Sequence, residues 1–167
     1  MGKITTFLWF NNNAEEAMNF YCSVFKNSKI VSIDRYGPRP AGASADIPWP
    51  EDGVLTGVFE LEGQQYMALD GGPQFPFTEA ISLNVDCKDQ AEIDYFWEKL
   101  SEGGEKGVCG WLKDKFGLSW QITPADYWKW MNDTKGTQAQ KQAMMSALLQ
   151  MTKLDIKALR EAYDNAK

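Results

Sequence analysis

The chain of 167 residues contains no histidine. This absence excludes Ser-His-Asp and Cys-His catalysis, histidine-based acid–base chemistry and every metal site that needs imidazole. Cysteine is scarce as well, because Cys22, Cys87 and Cys109 are three in number and widely spaced. An odd set of scattered thiols argues against a disulfide framework and favours reduced cysteines in the cytoplasm, and no Cys-x-x-Cys pair offers zinc an alternative.

Positively charged residues are also few. The chain has 17 Lys and Arg against 23 Asp and Glu, a net charge of −6. Nucleic acid and anionic membrane surfaces both require clustered Lys and Arg, so we expect neither as a partner. No apolar run approaches the length of about 18 residues that suggests a membrane-spanning helix, and no basic segment leads into a short apolar one. We therefore expect neither a membrane span nor a signal peptide.

The residues that are present suit a folded core, since 44% are hydrophobic and 13% are aromatic. The most informative stretch is 110–124, which reads as two strands joined by a tight turn at Asp114-Lys115-Phe116-Gly117. After this turn, apolar residues alternate with Ser119, Gln121 and Thr123. Such alternation predicts a strand with one polar face, which either lines a binding site or faces solvent.

Hydrophobic periodicity predicts one supersecondary order used twice. The first half has strands at 4–10, 28–36, 54–61 and 64–70 and a helix at 13–26, with a turn and N-cap from Asn11-Asn12-Asn13. The second half has a strand at 79–85, a helix at 89–102, a connector at 105–108 and the hairpin. Residues 125–167 have helical composition. We therefore predict divisions at 1–73, 74–124 and 125–167. Residues 37–53 contain four prolines and predict an exposed loop, either a lid or a partly disordered excursion.

Local motifs along most of the chain carry a family resemblance. They are Thr5-Thr6-Phe7-Leu8-Trp9-Phe10, Asn13-Ala14-Glu15-Glu16-Ala17, Phe20-Tyr21, Leu69-Asp70-Gly71-Gly72-Pro73, Trp97-Glu98-Lys99-Leu100, Cys109-Gly110-Trp111-Leu112, Asp114-Lys115-Phe116-Gly117, Ser119-Trp120-Gln121 and Lys153-Leu154-Asp155-Ile156. The chain resembles the vicinal oxygen chelate superfamily, which includes glyoxalases, bleomycin-resistance proteins and dioxygenases, and within it the PhnB-like branch. The resemblance implies an α+β fold in which two βαβββ modules form a curved mixed sheet, an open cup, with C-terminal helices. It also implies a homodimer.

Metal-dependent members of that superfamily place His or Glu at four positions facing the cup. Carried over, these positions fall near Thr5, near Ala68 or Asp70, near Ala80 or Ser82, and at Gln121. Hydroxyls, an amide and at most one carboxylate are poor ligands for first-row metals, so we expect no metal. Relatives are labelled 3-demethylubiquinone 3-methyltransferase. However, this chain has no glycine-rich strand-to-helix loop followed by an acidic residue, so we expect no methyl-donor cofactor.

Three functional hypotheses remain open from the sequence. The first is a metal-independent protein that binds a small apolar or aromatic molecule, with Phe7, Trp9 and Trp111 as stacking walls and Ser82, Asn84 and Gln121 as hydrogen-bonding groups. For each aromatic residue the competing interpretation is a core filler. The second is a metal-free isomerase or lyase in which Asp70 acts as a catalytic base. The third is a structural dimer that fills its own cup and binds no ligand.

Overall fold

The computed structural model describes residues 3–166. Met1, Gly2 and Lys167, which the predicted divisions include, lie outside the described residues. The chain separates into two compact units, Met1–Phe77 and Thr78–Lys167. The three-part division at 73 and 124 stays a prediction.

The first unit is a βαβββ module. It comprises β1 (Thr6–Phe10), α1 (Ala14–Val24), β2 (Ser28–Arg35), β3 (Val54–Leu61) and β4 (Gln64–Asp70). The sheet order is β1-β4-β3-β2, with β1 parallel to β4 and the other pairs antiparallel. The buried strand residues Leu8, Phe10 and Phe59 form a core with the buried residues of α1. Burial of this apolar stripe against the sheet explains why the helix forms where its periodicity predicts.

The second unit repeats the same order. It comprises β5 (Ser82–Cys87), α2 (Gln90–Ser101), β6 (Glu105–Lys106), β7 (Trp111–Lys113) and β8 (Ser119–Pro124). The sheet order is β5-β8-β7-β6, and β5 runs parallel to β8. The predicted α+β class is confirmed: two open four-stranded mixed sheets with helices, followed by C-terminal helices.

Two predicted boundaries in this unit are wrong. The strand predicted at 79–85 begins only at Ser82, because the residues before it have turn and bend conformations. The connector predicted at 105–108 contains the short strand β6, which pairs Glu105 with Lys113 of β7. Two residues without alternating hydrophobicity leave no periodic signal, so this edge strand was not visible in the sequence.

The C-terminal helices belong to the second unit. They are α3 (Tyr127–Met131), α4 (Gln138–Leu148) and α5 (Ile156–Asn165), and Thr137 with Gln140 forms a capping box at the start of α4. Buried side chains from all three helices and the loop before α5 pack into one cluster: Tyr127, Met144, Leu148, Leu154, Leu159 and Tyr163. The segment before α5 is held by main-chain bonds, with Gly110 N donating to Thr152 O at 2.8 Å.

The proline-rich loop between β2 and β3 is closed by its own contacts. Tyr36 N donates to Gly53 O at 3.0 Å across the base of the loop. The Trp49 indole donates to Gly37 O at 2.8 Å and its ring packs edge-on against Tyr36, with centroids 4.8 Å apart. These contacts account for the apolar Trp49 within its own loop. The lid role stays a prediction. Among residues 3–166, no helix is both long and apolar enough to span a membrane.

Candidate functional site

The hairpin that positions the site is built around Asp114. Gly117 N donates to Asp114 O at 2.9 Å, and Gly117 has φ +86°, a conformation that glycine adopts without steric cost. The Asp114 carboxylate is buried and accepts hydrogen bonds at both oxygens. Oδ1 accepts from Phe116 N at 2.9 Å and from Leu118 N at 3.1 Å, while Oδ2 accepts from the Trp120 indole at 2.8 Å. This carboxylate therefore fixes both the turn and the register of β8.

One face of the second sheet carries a ladder of polar side chains. In the β5–β8 register, Ser82 lies opposite Ser119, Asn84 opposite Gln121 and Asp86 opposite Thr123. Gln121 Nε2 donates to Ser82 Oγ at 2.8 Å, and Thr123 Oγ1 donates to Asn84 Oδ1 at 2.9 Å. Trp111 of β7 lies opposite Gln121 of β8, so the Trp111 ring is on the same face as the polar side chains. The structure thus brings together four of the predicted pocket residues: Ser82, Asn84, Trp111 and Gln121.

Ser119 breaks this pattern of satisfied polar groups. Its side chain is 1% exposed, and its Oγ has no hydrogen-bond partner. It lies at a cavity of about 140 Å³ that Trp111, Lys113, Glu79 and Glu105 also line. Most buried polar groups are hydrogen-bonded, and an unsatisfied buried hydroxyl carries a cost of roughly 1–3 kcal/mol.

An ion pair lies at the same cavity. Lys113 Nζ is 2.5 Å from Glu79 Oε1. The hydrogen bond to Glu79 raises the pKa of Lys113, and the reciprocal bond lowers the pKa of Glu79. Both groups are therefore charged at neutral pH, and the cavity presents an ammonium group beside an unsatisfied hydroxyl.

Phe7 and Trp9, the two other predicted stacking residues, belong to the first unit. Both lie on the face of β1 opposite the buried Leu8 and Phe10. The Trp9 indole donates to Gly72 O at 2.9 Å, and its ring packs edge-on against Phe75 at a centroid distance of 4.9 Å. Phe7 is 47% exposed. The chain following β4 thus covers part of Trp9, and a role for either residue in binding stays a prediction.

Asp70 lies on the other face of the first sheet. It pairs with Phe10, is 4% exposed, and accepts main-chain hydrogen bonds at both oxygens. Oδ1 accepts from Ala14 N and Oδ2 from Val54 N, each at 2.8 Å. Asp70 therefore caps α1 from a distant strand. Asn13, expected to cap this helix, occupies the N-cap position but makes no capping bond with its side chain.

This placement corrects one expectation from the superfamily resemblance, which put a metal-ligand position of the first unit near Ala68 or Asp70 on the face away from the helix. Ala68 and Asp70 pair with the buried Leu8 and Phe10, on the helix-facing side, whereas Phe7 and Trp9 are on the opposite side. In the second unit, Ser82, one of the two candidates for the third position, hydrogen-bonds to Gln121 at the fourth. The catalytic role of Asp70 stays a prediction, but the structural role is evident from its two main-chain bonds.

Replacing Asp70 with asparagine is expected to lower the free energy of unfolding by about 2 kcal/mol, because one main-chain N–H would face an amide N–H₂ group. Urea denaturation monitored by tryptophan fluorescence measures this change. Asp34→Asn, at an exposed position of β2, is the control and should change stability by less than about 0.5 kcal/mol. Equal stabilities for the two variants would contradict the capping role.

Sequence reasoning did not assign Ser119, Lys113 or Glu79 to the site. A signal for Ser119 was present, since it alternates with buried Leu118 and Trp120 on the polar face of β8. No comparable signal existed for the Glu79–Lys113 pair, because the two residues are far apart in the chain and neither belongs to a motif.

Comparisons with known proteins agree with this architecture. The sequence model of the 3-demethylubiquinone-9 3-methyltransferase family matches residues 2–123. A solved structure from Bacillus cereus, provisionally named 3-demethylubiquinone-9 3-methyltransferase, PhnB protein, is 43% identical; the match covers 74% of this chain and 100% of that chain, with a TM-score of 0.65. A crystal structure of a Pseudomonas aeruginosa protein is 21% identical over 74% of this chain and 98% of its own, with a TM-score of 0.60, and supports the fold alone. No curated protein matches.

The family match includes both βαβββ modules and ends inside β8. The C-terminal helices therefore lie outside the matched residues. Since the match extends over most of the chain and the Bacillus cereus relative is aligned over its whole length, this chain belongs to the 3-demethylubiquinone-9 3-methyltransferase family.

Proposed function

We propose that the protein binds a small organic molecule at the polar face of its second sheet, without a metal ion. Trp111 lines the cavity at Ser119 and provides a stacking wall, and Ser82, Asn84 and Gln121 continue the hydrogen-bonding face beyond the lining of that cavity. This mixture of a few placed polar groups beside an aromatic ring is typical of ligand pockets. The glyoxalase-like fold sets no particular reaction, so the proposal concerns binding.

The observation that carries the proposal is the buried Ser119 hydroxyl without a partner. Its neighbours on the same face satisfy one another, as in the pairs Gln121–Ser82 and Thr123–Asn84. A ligand in the adjacent cavity that donates or accepts one hydrogen bond would remove the cost of this isolated group. A hydroxyl kept buried and unsatisfied at a cavity wall is better explained by a ligand than by packing, because alanine would pack there without a polar group.

The chemistry of the donor set supports metal independence. In the second unit, the resemblance assigns the metal-ligand positions to Ala80 or Ser82 and to Gln121, and Gln121 donates to Ser82 at 2.8 Å. A hydroxyl and an amide are weak ligands for iron, nickel or zinc compared with imidazole and carboxylate. Within residues 3–166, no group of three or more Cys, Asp or Glu side chains is arranged to hold a metal ion. These residues do not fit the metal centre of the superfamily.

Methyl transfer, which the name of the Bacillus cereus relative implies for that protein, is not part of the proposal. Within residues 3–166, the three strand-to-helix connections are residues 11–13, 88–89 and 125–126, and none contains glycine. A cofactor that approaches the main chain closely at such a connection requires glycine there. These connections therefore do not fit a methyl-donor cofactor. The homodimer and the cytoplasmic location stay predictions.

The test is a titration of the full-length protein with a library of small apolar and aromatic compounds. Tryptophan fluorescence and the melting temperature report binding, and at least one compound is expected to shift both. A library that shifts neither signal would overturn the proposal.

Ser119→Ala links the binding to the site. Without ligand, this variant should be more stable than the natural protein by about 1 kcal/mol, because it removes an unsatisfied buried hydroxyl. For a compound that binds, its affinity should fall about five- to tenfold through the loss of one hydrogen bond. Ser23→Ala removes an exposed hydroxyl of α1 that donates to Phe20 O, and as the control it should leave binding unchanged. A lower stability of Ser119→Ala, or unaltered binding, would contradict the assignment.

A further inference from the structure

We propose that the ligand of this cavity is a small carboxylic acid with a flat apolar body, and that in the free protein Glu79 occupies the part of its carboxylate position that lies beside Lys113. This inference rests on the proposed function and specifies its ligand class. The cavity is the one of about 140 Å³ at Lys113, Ser119 and Trp111.

The residue that occupies the carboxylate position is weakly held. Glu79 precedes β5 in a stretch, residues 71–81, that forms neither helix nor strand. Its side chain is 61% exposed, whereas that of Lys113 is 32% exposed and lies on β7. A solvent-exposed ion pair contributes little to stability, so the Glu79 carboxylate can be exchanged for that of a ligand at small cost.

Three groups of the hairpin converge on the position that Glu79 fills. Lys113 and Ser119 are direct partners in the β7–β8 register, so their side chains lie side by side on one face. Trp111 precedes Lys113 by two residues and shares that face. A ligand carboxylate placed between the Lys113 ammonium and Ser119 Oγ would accept from both groups, whereas the Glu79 carboxylate reaches Lys113 and leaves Ser119 without a partner. The body of the molecule would contact the Trp111 ring. The lone hydroxyl thereby gains a partner.

The charges at the cavity point to an anionic ligand. Lys106, the second cation at the cavity, is paired with Glu98 at 2.9 Å. Displacement of Glu79 therefore leaves Lys113 as the cation that faces the ligand. Glu105 also lines the cavity and lies opposite Lys113 in the β6–β7 register, so it opposes an anion and lowers the affinity. We expect weak, selective binding rather than a tight anion site.

The volume limits the size of the molecule. A cavity of about 140 Å³ has room for about five water molecules at roughly 30 Å³ each. This corresponds to one ring with a carboxylate. Benzoate has these features, and benzamide has the same shape without the charge.

The experiment titrates the full-length protein with benzoate and with benzamide by calorimetry. Benzoate is expected to bind about tenfold more tightly, as a charge-assisted hydrogen bond requires. Lys113→Gln should remove this preference. Glu79→Gln should tighten benzoate binding several-fold, and more than benzamide binding, because it removes both the competitor for Lys113 and a negative charge that repels benzoate. The matched control is Lys129→Gln in α3, which breaks an exposed ion pair between Lys129 and Asp126. This variant should behave like the natural protein.

Equal affinities for benzoate and benzamide, or a preference for benzoate that survives Lys113→Gln, would overturn the inference. Binding of neutral compounds that depends on Ser119, without any preference for benzoate, would overturn this inference and leave the proposed function standing. A protein that binds no compound of either kind would overturn both. Melting temperatures of the Glu79→Gln and Lys113→Gln variants close to that of the natural protein establish that changes in affinity do not reflect unfolding.

Discussion

Replacing Asp114 with alanine is expected to lower the free energy of unfolding by about 4 kcal/mol, the largest effect we predict for a single substitution. The carboxylate is 2% exposed and accepts from two main-chain N–H groups of its own turn and from the Trp120 indole. Alanine would remove the Asp114 oxygen that accepts from the indole N–H, in a region where Trp120 is also 2% exposed. It would also release the turn that sets the register of β7 against β8.

Urea denaturation monitored by tryptophan fluorescence measures this effect. Asp114→Asn retains one acceptor oxygen and should lose about half as much stability, which separates the missing charge from the missing acceptor. Asp126→Ala removes an exposed carboxylate paired with Lys129, so its effect should stay below about 1 kcal/mol. A loss for Asp114→Ala no greater than that of Asp126→Ala would show that the turn holds without its carboxylate.

Gly71→Ala is expected to destabilise the protein by about 3 kcal/mol, because there is no space for a methyl group. A Cβ built on Gly71 would lie 2.0 Å from Trp9 Cζ2 and 2.2 Å from Trp9 Cε2. The indole is itself held by its hydrogen bond to Gly72 O and by the edge contact with Phe75. Alanine therefore requires either Trp9 or the chain after β4 to move.

Thermal unfolding together with the emission maximum of tryptophan tests this prediction, since a displaced Trp9 should become more exposed to water. Gly37→Ala is the matched control, because a Cβ at Gly37 meets nothing within 4 Å and Gly37 does not have the positive φ that disfavours alanine. It should alter stability by less than about 0.5 kcal/mol, or raise it slightly. If both variants melt alike, the packing of Trp9 on Gly71 does not contribute to stability.

Elements whose signal is local were predictable. The turn at residues 114–117 needed only an acceptor at its first position and glycine at its last, and the structure places it there. Both long helices of the modules follow from the spacing of their apolar residues, as in α1 with buried Ala17, Met18 and Tyr21. The repeated βαβββ order was visible for the same reason.

Features that depend on distant residues were not predictable. The sequence offered Asp70 as a candidate catalytic base, and only the structure reveals that its carboxylate caps α1 and binds the start of β3. A shift of one residue in strand register moves a side chain to the opposite face, and nothing local specifies which face Asp70 occupies. Strand β6 could not be predicted because its two residues are too few to show alternating hydrophobicity.

In the candidate site, too, the residue types could be predicted from the sequence, whereas the contacts between distant residues could not. The amino-acid sequence alone determined which residue types line the polar face of β8, and through the missing histidine it argued against the metal chemistry of the superfamily. Only the tertiary structure decided that Gln121 binds Ser82, that Ser119 is buried without a partner, and that Glu79 reaches Lys113. The physical reason is that hydrogen bonds and ion pairs form between groups close in space, and residues separated by more than thirty positions meet only once the sheet has formed.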